Sequence, residues 1–376
     1  MKVMFVTPAY RPSFFEGGKG GGEISNQILL DALARSGEMI YIVSMRSVQK
    51  KKVYRDGKVV VIEPFSGINF LPFSLLASFF LFKKVLAKLL KQTRPDIVLS
   101  TTSVVRVAAE ASAAQGIRNG AIVRAMENLP GYGWSYSLRS PASLVKFLLH
   151  KATIGWPGKR ELDKVDFIIA NSEFMKGKYL EQFPGKPISV VYPALDLDKA
   201  TAPLPKVISR VMMVGVSKEK GYDIFKKLAS AFPELEFHAI GDKGLAVGKT
   251  RQDGRVIVHG WLKKPSDFID QMDLVLVPSQ WEEPFGRISI EALYRNKHVL
   301  VSAKGGLPET VHYRDSCIVD NNEIDSWVNS IKHLVETLPH EYKSYADWVA
   351  DFNSFSLEDQ VLRLQSILLL YKKQHD

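Results

Sequence analysis

The sequence predicts an α/β protein made of two doubly wound domains, each with a mostly parallel sheet between layers of helices. Three observations predict this fold. The chain has 376 residues, enough for two domains of about 150 residues each or slightly more. Short β-branched runs alternate with amphipathic helical patterns, which is typical of parallel sheets. The alternation stops at a proline-rich stretch, residues 193–205, and then starts again.

The first half of the chain contains four predicted strands, three of which precede a helical pattern. A glycine cluster follows the first strand, and the helix after it is expected to begin at Glu23. The helices after the third and fourth strands are expected to begin at Val104 and Ser172. These strands are predicted at residues 2–7, 39–44, 96–100 and 167–171.

The second half has its own strands and helices and can therefore bury a sheet independently. A last apolar helix, Leu357 to Lys373, has no strand after it, so we expect it to lie across the first domain. The predicted boundaries are 1–195, 196–355 and 356–376 for the two domains and the final helix. The strands of the second half are predicted at 210–215, 235–241, 255–260, 273–279 and 298–303, and its helices at about 219–230, 287–295 and 322–337.

The composition is that of an ordinary globular protein and excludes disordered, collagen-like and multi-spanning membrane chains. Hydrophobic residues make up 46% of the chain and charged residues 24%, and the mean hydropathy is −0.04. The single cysteine, Cys317, cannot form an internal disulfide, and no Cys-x-x-Cys pair indicates zinc. The first apolar stretch is too short for a signal peptide. We therefore expect a cytoplasmic protein.

The net charge of +10 is confined to the first half of the chain. Residues 1–200 carry 28 basic and 16 acidic side chains, a balance of +12, whereas the other 176 residues carry 22 and 24, a balance of −2. A basic half can meet nucleic acid, an anionic membrane surface or a phosphorylated substrate. No RNP-like or helix-turn-helix pattern supports nucleic acid.

Residues 70–91 combine large apolar side chains with four lysines, Lys83, Lys84, Lys88 and Lys91. The charge-free part, Phe70 to Phe82, is too short to span a bilayer, which needs about 20 apolar residues. Two interpretations stay open. The segment is a crossover helix with one buried and one solvated face, or its phenylalanines and lysines dock on an anionic membrane surface.

The glycine cluster between the first strand and its helix predicts a contact with phosphate. Five of the six residues from Gly17 to Gly22 are glycine, and backbone amides at a strand-to-helix turn can approach an anion closely. The dinucleotide spacing G-x-G-x-x-G fails, because the third glycine would fall at Glu23 or Ser25. A nicotinamide enzyme is therefore disfavoured, and a merely flexible turn is the simpler alternative.

Residues 273–309 hold two glutamates at the end of a buried strand and in the helix after it. Eight positions separate Glu283 from Glu291, which would be about 12 Å in a fully helical span. This exceeds the ~5–9.5 Å between the two carboxylates of a glycoside hydrolase. The two glutamates are better placed to hold opposite ends of one long ligand.

These residues resemble a known motif. Glu283-Pro284-Phe285-Gly286 followed by Glu291 looks like the E-x7-E element of the family 4 glycosyltransferases, which are retaining enzymes with the two-domain GT-B fold. The order and spacing of further motifs agree over nearly the whole chain. These motifs are Gly20–Glu23, Val214–Gly215, Lys220–Gly221, Gly260, Pro278–Ser279 and Gly305–Glu309.

The resemblance implies a fold and a reaction. Two Rossmann-like domains would face each other across a cleft, with the acceptor bound by residues 1–195 and a nucleotide sugar by residues 196–355. The helix at 356–376 would cross back to the first domain. The enzyme would move a hexose, with retention, from a nucleoside-diphosphate sugar to a hydroxyl of a glycan or lipid-linked acceptor in cell-surface polysaccharide synthesis.

The resemblance also implies site residues. Glu283 and the backbone of Phe285 and Gly286 should contact the donor sugar, and Glu291 the ribose. Lys220 should neutralise the diphosphate, which the amides of Gly21 and Gly22 should approach from the other domain. No metal or other cofactor is implied if lysines supply the charge. The donor-binding residues are expected to be Gly21, Gly22, Gly215, Lys218, Lys220, Glu283, Phe285, Gly286, Arg287 and Glu291.

The chain departs from the family pattern at two places. The family commonly has an arginine after the glycine that opens the second domain, and here Lys218 is the expected substitute. A histidine often follows the central strand of the first domain, whereas residues 121–134 offer Arg124, Glu127 and Asn128. We expect Glu127 to act at the acceptor, where a loop carboxylate is the alternative. Glu283, Lys220 and Glu127 are thus the candidate catalytic residues.

The acceptor is expected to be a glycan or a sugar linked to a polyprenyl carrier, bound by aromatic and basic residues of the first domain. Ordinary core aromatics are the alternative interpretation of these rings. With residues 70–91, such an acceptor indicates a peripheral protein on the inner face of the plasma membrane. A nucleotide-sugar epimerase, a phosphorylase and a degenerate binding homologue remain alternatives. The acceptor candidates are Tyr132, Trp134, Tyr136, Trp156, Arg139, Lys146, Lys151, Lys159 and Arg160.

Overall fold

A computed structural model describes ten stretches of the chain, which form two units. Unit 1 comprises Met1–Ala194 with Leu357–Asp376, and unit 2 comprises Leu195–Ser356. The described residues are 1–10, 21–46, 53–65, 75–126, 129, 162–195, 203–262, 268–320, 323–349 and 355–373.

Unit 1 has an eight-stranded sheet in the order β3-β4-β2-β1-β5-β6-β7-β8, parallel except for the β3–β4 hairpin at one edge. Its strands are β1 (Lys2–Ala9), β2 (Met39–Arg46), β3 (Val53–Asp56), β4 (Val59–Ile62), β5 (Ile97–Thr101), β6 (Arg118–Val123), β7 (Phe167–Ala170) and β8 (Ile188–Val190). Its helices are α1 (Gly21–Arg35), α2 (Leu75–Thr93), α3 (Val105–Ala113), α4 (Glu173–Gln182) and α9 (Leu357–Lys373).

Helices cover both faces of this sheet because its central strand is apolar on both sides. Val3 and Phe5 of β1 pack in one cluster with α1 and α9, while Met4 and Val6 pack in another with α2 and α3. This is the alternation that a strand imposes on its side chains. The ring of Tyr371 in α9 stacks on Phe167 of β7, with centroids 4.0 Å apart. The last helix is therefore part of the core of unit 1.

Unit 2 has a seven-stranded sheet in the order β11-β12-β10-β9-β13-β14-β15, parallel except for β11. Its strands are β9 (Arg210–Val214), β10 (Glu236–Ile240), β11 (Thr250–Asp253), β12 (Val256–His259), β13 (Leu274–Val277), β14 (His298–Ser302) and β15 (Ile318–Val319). Its helices are α5 (Tyr222–Ala231), α6 (Arg287–Tyr294), α7 (Leu307–Thr310) and α8 (Ile324–Val349).

The predicted fold class, two doubly wound α/β sheets with a final helix, is confirmed, and all nine predicted strands are present. Helix α1 begins two residues before the expected Glu23, and α8 extends beyond the expected end at residue 337. Six of the described strands were not predicted, namely β3, β4, β8, β11, β15 and β6. The sequence of β6 begins with Arg118-Asn119-Gly120, a poor strand pattern, and Gly120 is needed because the ring of Phe167 lies where a Cβ would be.

The strand order places a topological switch point in each sheet. In unit 2 the chain runs from β9 outward to β10 and then returns to β13 on the other side of β9. Ligands of such sheets bind beyond the carboxyl ends of the strands at this point. The loops after β9 and β13 therefore form the candidate site. Among the helices that the structure describes, none is long and apolar enough to cross a membrane.

Candidate active site

The loops after β9 and β13 are joined by their own backbones. The amide of Gln280 donates to the carbonyl of Glu219 at 2.8 Å, and Gly221 lies against Pro278. A Cβ on Gly221 would come within 1.8 Å of the Pro278 carbonyl oxygen, and Gly221 has a φ of +81°. Only glycine allows this approach and this backbone conformation together.

Lys220 and Glu283 meet at this junction. The Lys220 ammonium donates to Oε1 of Glu283 in a short ion pair, and the hydroxyl of Ser279 donates to the same oxygen at 2.7 Å. The Glu283 side chain is only 7% exposed, whereas that of Lys220 is 38% exposed. Ser279 is fully buried and its carbonyl accepts a bond from Ser302 at 2.9 Å. Ser279 thus holds the buried carboxylate in place, while the ammonium is partly exposed to solvent.

The aliphatic part of the Lys220 side chain packs on Gly215, the first residue after β9. A Cβ on Gly215 would lie 2.8 Å from Cγ of Lys220, and Gly215 has a φ of +100°. The Lys220 ammonium also lies 5.5 Å from the ring centroid of Trp281, within cation–π range. Lys218 is exposed on the same loop, and its carbonyl accepts a bond from Gly221.

Two glycines after β14 support the backbone of Glu283. The amide of Gly306 donates to the Glu283 carbonyl at 2.7 Å. A Cβ on Gly305 would come within 2.2 Å of that same oxygen, and one on Gly306 within 2.7 Å of the Pro284 carbonyl. The loop that carries Glu283 can therefore lie directly on this glycine pair, but on no bulkier residue.

Helix α6 begins immediately after this loop. Gly286 is its N-cap with a φ of +103°, and a Cβ there would meet Cδ2 of Leu307 at 2.3 Å. The helix starts at Arg287, so Glu283 lies before it and the span from Glu283 to Glu291 is only partly helical. Arg287 pairs with Glu291 one turn later, at 3.0 Å. The helix N-terminus, with its dipole, thus lies between the two glutamates along the chain.

Unit 1 places Gly21 and Gly22 in the first turn of α1, at the end of the helix where the dipole favours an anion. Gly22 lies against Arg124, with 3.1 Å between a Cβ built there and Cβ of Arg124. Arg124 is 8% exposed and follows β6. The predicted candidates that lie outside the described residues are Gly20, Phe70, Phe73, Glu127, Asn128, Tyr132, Trp134, Tyr136, Arg139, Lys146, Lys151, Trp156, Lys159 and Arg160.

The structure thus brings Lys220, Glu283, Gly215 and Gly286 of the predicted donor residues together in unit 2. Sequence reasoning gave no role to Ser279, which holds the Glu283 carboxylate, or to Trp281, which lies beside Lys220. The position of Ser279, one residue beyond the end of the buried strand β13 and its following proline, was a usable indication. Within the described ranges, no group of three or more His, Cys, Asp or Glu side chains is placed to hold a metal ion.

Two family models match the chain, one in each half. Residues 19–199 match the model described as glycosyltransferase family 4, and residues 209–337 match glycosyl transferases group 1. The second match includes Gly215, Lys220, Glu283 and Glu291.

The chain is also similar to individual proteins and to a solved structure. An uncharacterized 42.6 kDa protein in the cps region of Klebsiella pneumoniae is 26% identical over 82% of this chain and 87% of its own length. A lipopolysaccharide 1,2-N-acetylglucosaminetransferase of Salmonella typhimurium is 28% identical over 38% of this chain and 46% of its own length. The crystal structure of Anabaena Alr3699/HepE with UDP-glucose, 18% identical, superposes with a TM-score of 0.65 over 98% of this chain and 99% of that one.

Proposed function

The chain belongs to family 4 of the glycosyltransferases, retaining enzymes with the GT-B fold, and we propose that it transfers a hexose from a nucleoside-diphosphate sugar to a hydroxyl of a cell-surface glycan. The observation that carries this proposal is the Lys220–Glu283 pair at the switch point of unit 2. A cation and a carboxylate held together at the carboxyl ends of two parallel strands suit a ligand that has both phosphates and sugar hydroxyls.

Lys220 is proposed to bind the diphosphate. Breaking the bond between sugar and phosphate develops negative charge on the leaving diphosphate, and a fixed ammonium lowers the barrier by stabilising that charge. Lys218, exposed on the same loop, is proposed to add a second positive charge. Gly21 and Gly22 are proposed to contribute backbone amides from the first turn of α1, where the helix dipole favours an anion. With this charge from the protein, we propose that transfer requires no divalent metal.

Glu283 is proposed to accept hydrogen bonds from hydroxyls of the donor sugar. Ser279 and Lys220 both donate to Oε1, which leaves Oε2 as the oxygen for the sugar. Glu291 is proposed to bind the ribose hydroxyls, held in place by Arg287 at 3.0 Å. The leaving phosphate would take the proton of the acceptor hydroxyl on the same face, which accounts for retention.

The acceptor is proposed to be a growing polysaccharide linked to a lipid. The relative from a cps region and the lipopolysaccharide transferase support a glycan of the cell surface. The lipid part is supported by helix α2, whose buried face carries Phe82, Leu86 and Leu90. Its opposite face, here named the basic face of α2, is formed by Phe80, Leu81, Lys84, Lys88 and Lys91.

The basic face of α2 combines apolar and cationic side chains that are exposed. Phe80 is 66% exposed and Leu81 46% exposed, and the three lysines follow at helical spacing. Such a face attracts anionic lipids, with about 1 kcal/mol for each lysine near the surface. We propose that it docks on an anionic membrane surface, while the other face of the same helix packs on the sheet.

The donor is tested by a thermal-shift panel of nucleotide sugars. UDP-glucose, UDP-N-acetylglucosamine, ADP-glucose and GDP-mannose are compared with UDP, ADP and GDP, since a ligand at 100 times its Kd adds about 2.7 kcal/mol of stability. The ligand that stabilises best is then assayed for nucleotide release. Stabilisation with release supports a transferase. Binding without any release indicates a degenerate homologue, and no binding at all contradicts the proposal.

The membrane surface is tested by sedimentation with vesicles of phosphatidylglycerol or of phosphatidylcholine. The triple variant K84E/K88E/K91E should lose binding to the anionic vesicles at low salt, by at least about 100-fold if each lysine contributes about 1 kcal/mol. The control K227E/K243E/K249E makes the same change of charge at exposed lysines of unit 2. Equal binding by both variants, or equal binding to both lipids, would contradict membrane docking.

A further inference from the structure

Arg124 is a buried arginine at the carboxyl end of β6 whose contacts converge on the start of α1. Its Nε donates to Oδ1 of Asn26 at 2.8 Å, and its Nη1 donates to the carbonyl of Val191 at 2.9 Å. Asn26 lies in the second turn of α1, and Val191 directly follows β8. One guanidinium therefore links α1 to the backbone just after the edge strand β8. Its planar geometry fixes the direction of both hydrogen bonds.

The backbone from which Arg124 extends is itself held on both sides. Its carbonyl accepts a bond from the side-chain amide of Asn171 at 2.9 Å, and the next carbonyl, that of Ala125, accepts one from the hydroxyl of Tyr179 at 3.2 Å. Both donors come from the β7–α4 unit. The backbone position of Arg124 is therefore set by the β7–α4 unit and not by the helix that its side chain holds.

The first turn of α1 rests directly on this side chain. A Cβ built on Gly22 would lie 3.1 Å from Cβ and 3.5 Å from Cγ of Arg124. Arg124 thus contacts α1 twice, at the glycine turn and at Asn26 one turn later. Two contacts on successive turns fix both the height of the helix over the sheet and its rotation about its own axis.

Arg118, at the opposite end of β6, has a different environment from Arg124. Arg118 lies at the amino end of β6, where Nη1 pairs with Asp166 at 2.8 Å. That end of a parallel sheet is the one away from ligands, whereas Arg124 lies at the end where ligands bind. Arg118 therefore stabilises the sheet, whereas Arg124 holds the turn that is proposed to bind the ligand.

We propose that Arg124 is a positioning residue for donor binding: it fixes the start of α1 so that the backbone amide of Gly22 is preorganised for the donor diphosphate. This inference rests on the proposed function, which assigns that amide to the diphosphate. A preorganised amide costs no reorganisation when charge develops on the leaving group, so its effect is greatest in the transition state. Displacement of the turn should therefore lower kcat more than it raises KM.

The test compares R124M with R118M, using nucleotide release from the nucleotide sugar that best stabilises the wild type. R124M should lower kcat/KM about 10- to 100-fold, mainly through kcat, because a small displacement of a binding group has effects of that size. R124K should recover only part of the loss, since an ammonium cannot reproduce the fork. R118M should keep kcat/KM close to that of the wild type even if its Tm falls.

A second variant keeps the inference testable if R124M does not fold. N26A retains the arginine but removes its bond to α1, and it should show the same fall in kcat. Equal effects of R124M or N26A and of R118M on kcat would overturn the inference and leave a merely structural role. If G22A released nucleotide with the same kcat as an active wild type, the role of the glycine turn would be overturned, and with it this inference. A wild type that binds no nucleotide sugar would instead contradict the proposed function.

Discussion

Lys220 and Glu283 form an ion pair although 63 positions separate them in the sequence. They meet because β9 and β13 are neighbours in the sheet and both loops lie at the same switch point. In this pair the carboxylate is buried and the ammonium is partly exposed. A donor bound through Lys220, as proposed, would share the lysine with Glu283 or take it over.

Removal of the Glu283 charge should strongly reduce transfer. E283Q keeps the shape of the side chain but weakens both the pair with Lys220 and the acceptance of sugar hydroxyls. We expect kcat to fall about 100- to 1000-fold, the usual effect of losing one transition-state hydrogen-bonding group. The measurement is nucleotide release at saturating donor. E282Q, the same change at the adjacent and more exposed glutamate, is the control and should stay near wild type.

Lys220 should contribute both to diphosphate binding and to stability. K220M would remove the proposed charge-assisted hydrogen bond to phosphate, so we expect the Kd of the nucleoside diphosphate to rise about 10- to 100-fold in calorimetry. It also leaves the buried carboxylate of Glu283 without its cation, at about 1–3 kcal/mol in the free energy of unfolding. The double variant K220M/E283Q should regain part of that stability. Additive effects in the cycle would show that the pair does not couple the two residues.

The glycine under Glu283 should not tolerate a side chain. Gly305 has a φ of +64°, and its Cβ would collide with the carbonyl oxygen of Glu283. Gly254 has a nearly identical φ of +60° but no atom within 4 Å of its Cβ position, which makes it a matched control. G254A should cost about 1 kcal/mol for the backbone conformation, and G305A about 1–3 kcal/mol more for the collision. Equal losses in urea unfolding would contradict the contact.

Glu110 should make the stability of unit 1 depend on pH in the acid range. Burial disfavours its charge, but hydrogen bonds from Lys164, Lys83 and Arg106 outweigh burial and lower its pKa to about 2. Because the pKa is lower in the folded state, this stabilisation is complete above the ordinary value of 4.5 and is lost as the pH falls toward 2.

The variant E110Q isolates this effect. Its deficit in unfolding free energy relative to wild type should be largest above pH 4.5 and should shrink as the pH approaches 2. Denaturant unfolding over this range measures it. E173Q removes a half-exposed carboxylate that pairs with Lys176 on α4, and it should change stability little at any pH. A deficit for E110Q that is constant with pH would contradict the assignment.

Chelation of metals should leave the enzyme active. If Lys220 and Lys218 supply the positive charge at the diphosphate, excess EDTA should not change the rate of nucleotide release. The same assay with added Mg²⁺ or Mn²⁺ after dialysis completes the test. A rate that collapses in EDTA and returns with either ion would contradict the metal-independent mechanism.

Much of the fold was predictable because parallel strands buried on both faces are nearly continuous apolar runs, as in residues 210–214 and 274–277. Strand β6 was missed because Gly120 and Asn119 weaken its pattern, and the reason for the glycine is the ring of Phe167 on a neighbouring strand. The edge strands β3 and β11 have only four residues each and were not predicted, whereas β4 was missed although all four of its residues are apolar.

The candidate site was predictable residue by residue but not as an arrangement. Lys220 and Glu283 were each expected to meet the donor, yet their pairing depends on which strands are neighbours in the sheet. The order of strands along the chain does not determine this. The role of Ser279 likewise depends on the path of the loop, which brings its hydroxyl back to the carboxylate four residues later.

A crystal structure with the nucleotide sugar selected by the thermal-shift panel tests most directly whether the Lys220–Glu283 pair binds the donor. We predict that the Lys220 ammonium contacts the diphosphate, that the Glu283 carboxylate accepts bonds from sugar hydroxyls and that Glu291 contacts the ribose. A nucleotide sugar bound elsewhere, with the Lys220–Glu283 pair untouched by it, would contradict the account.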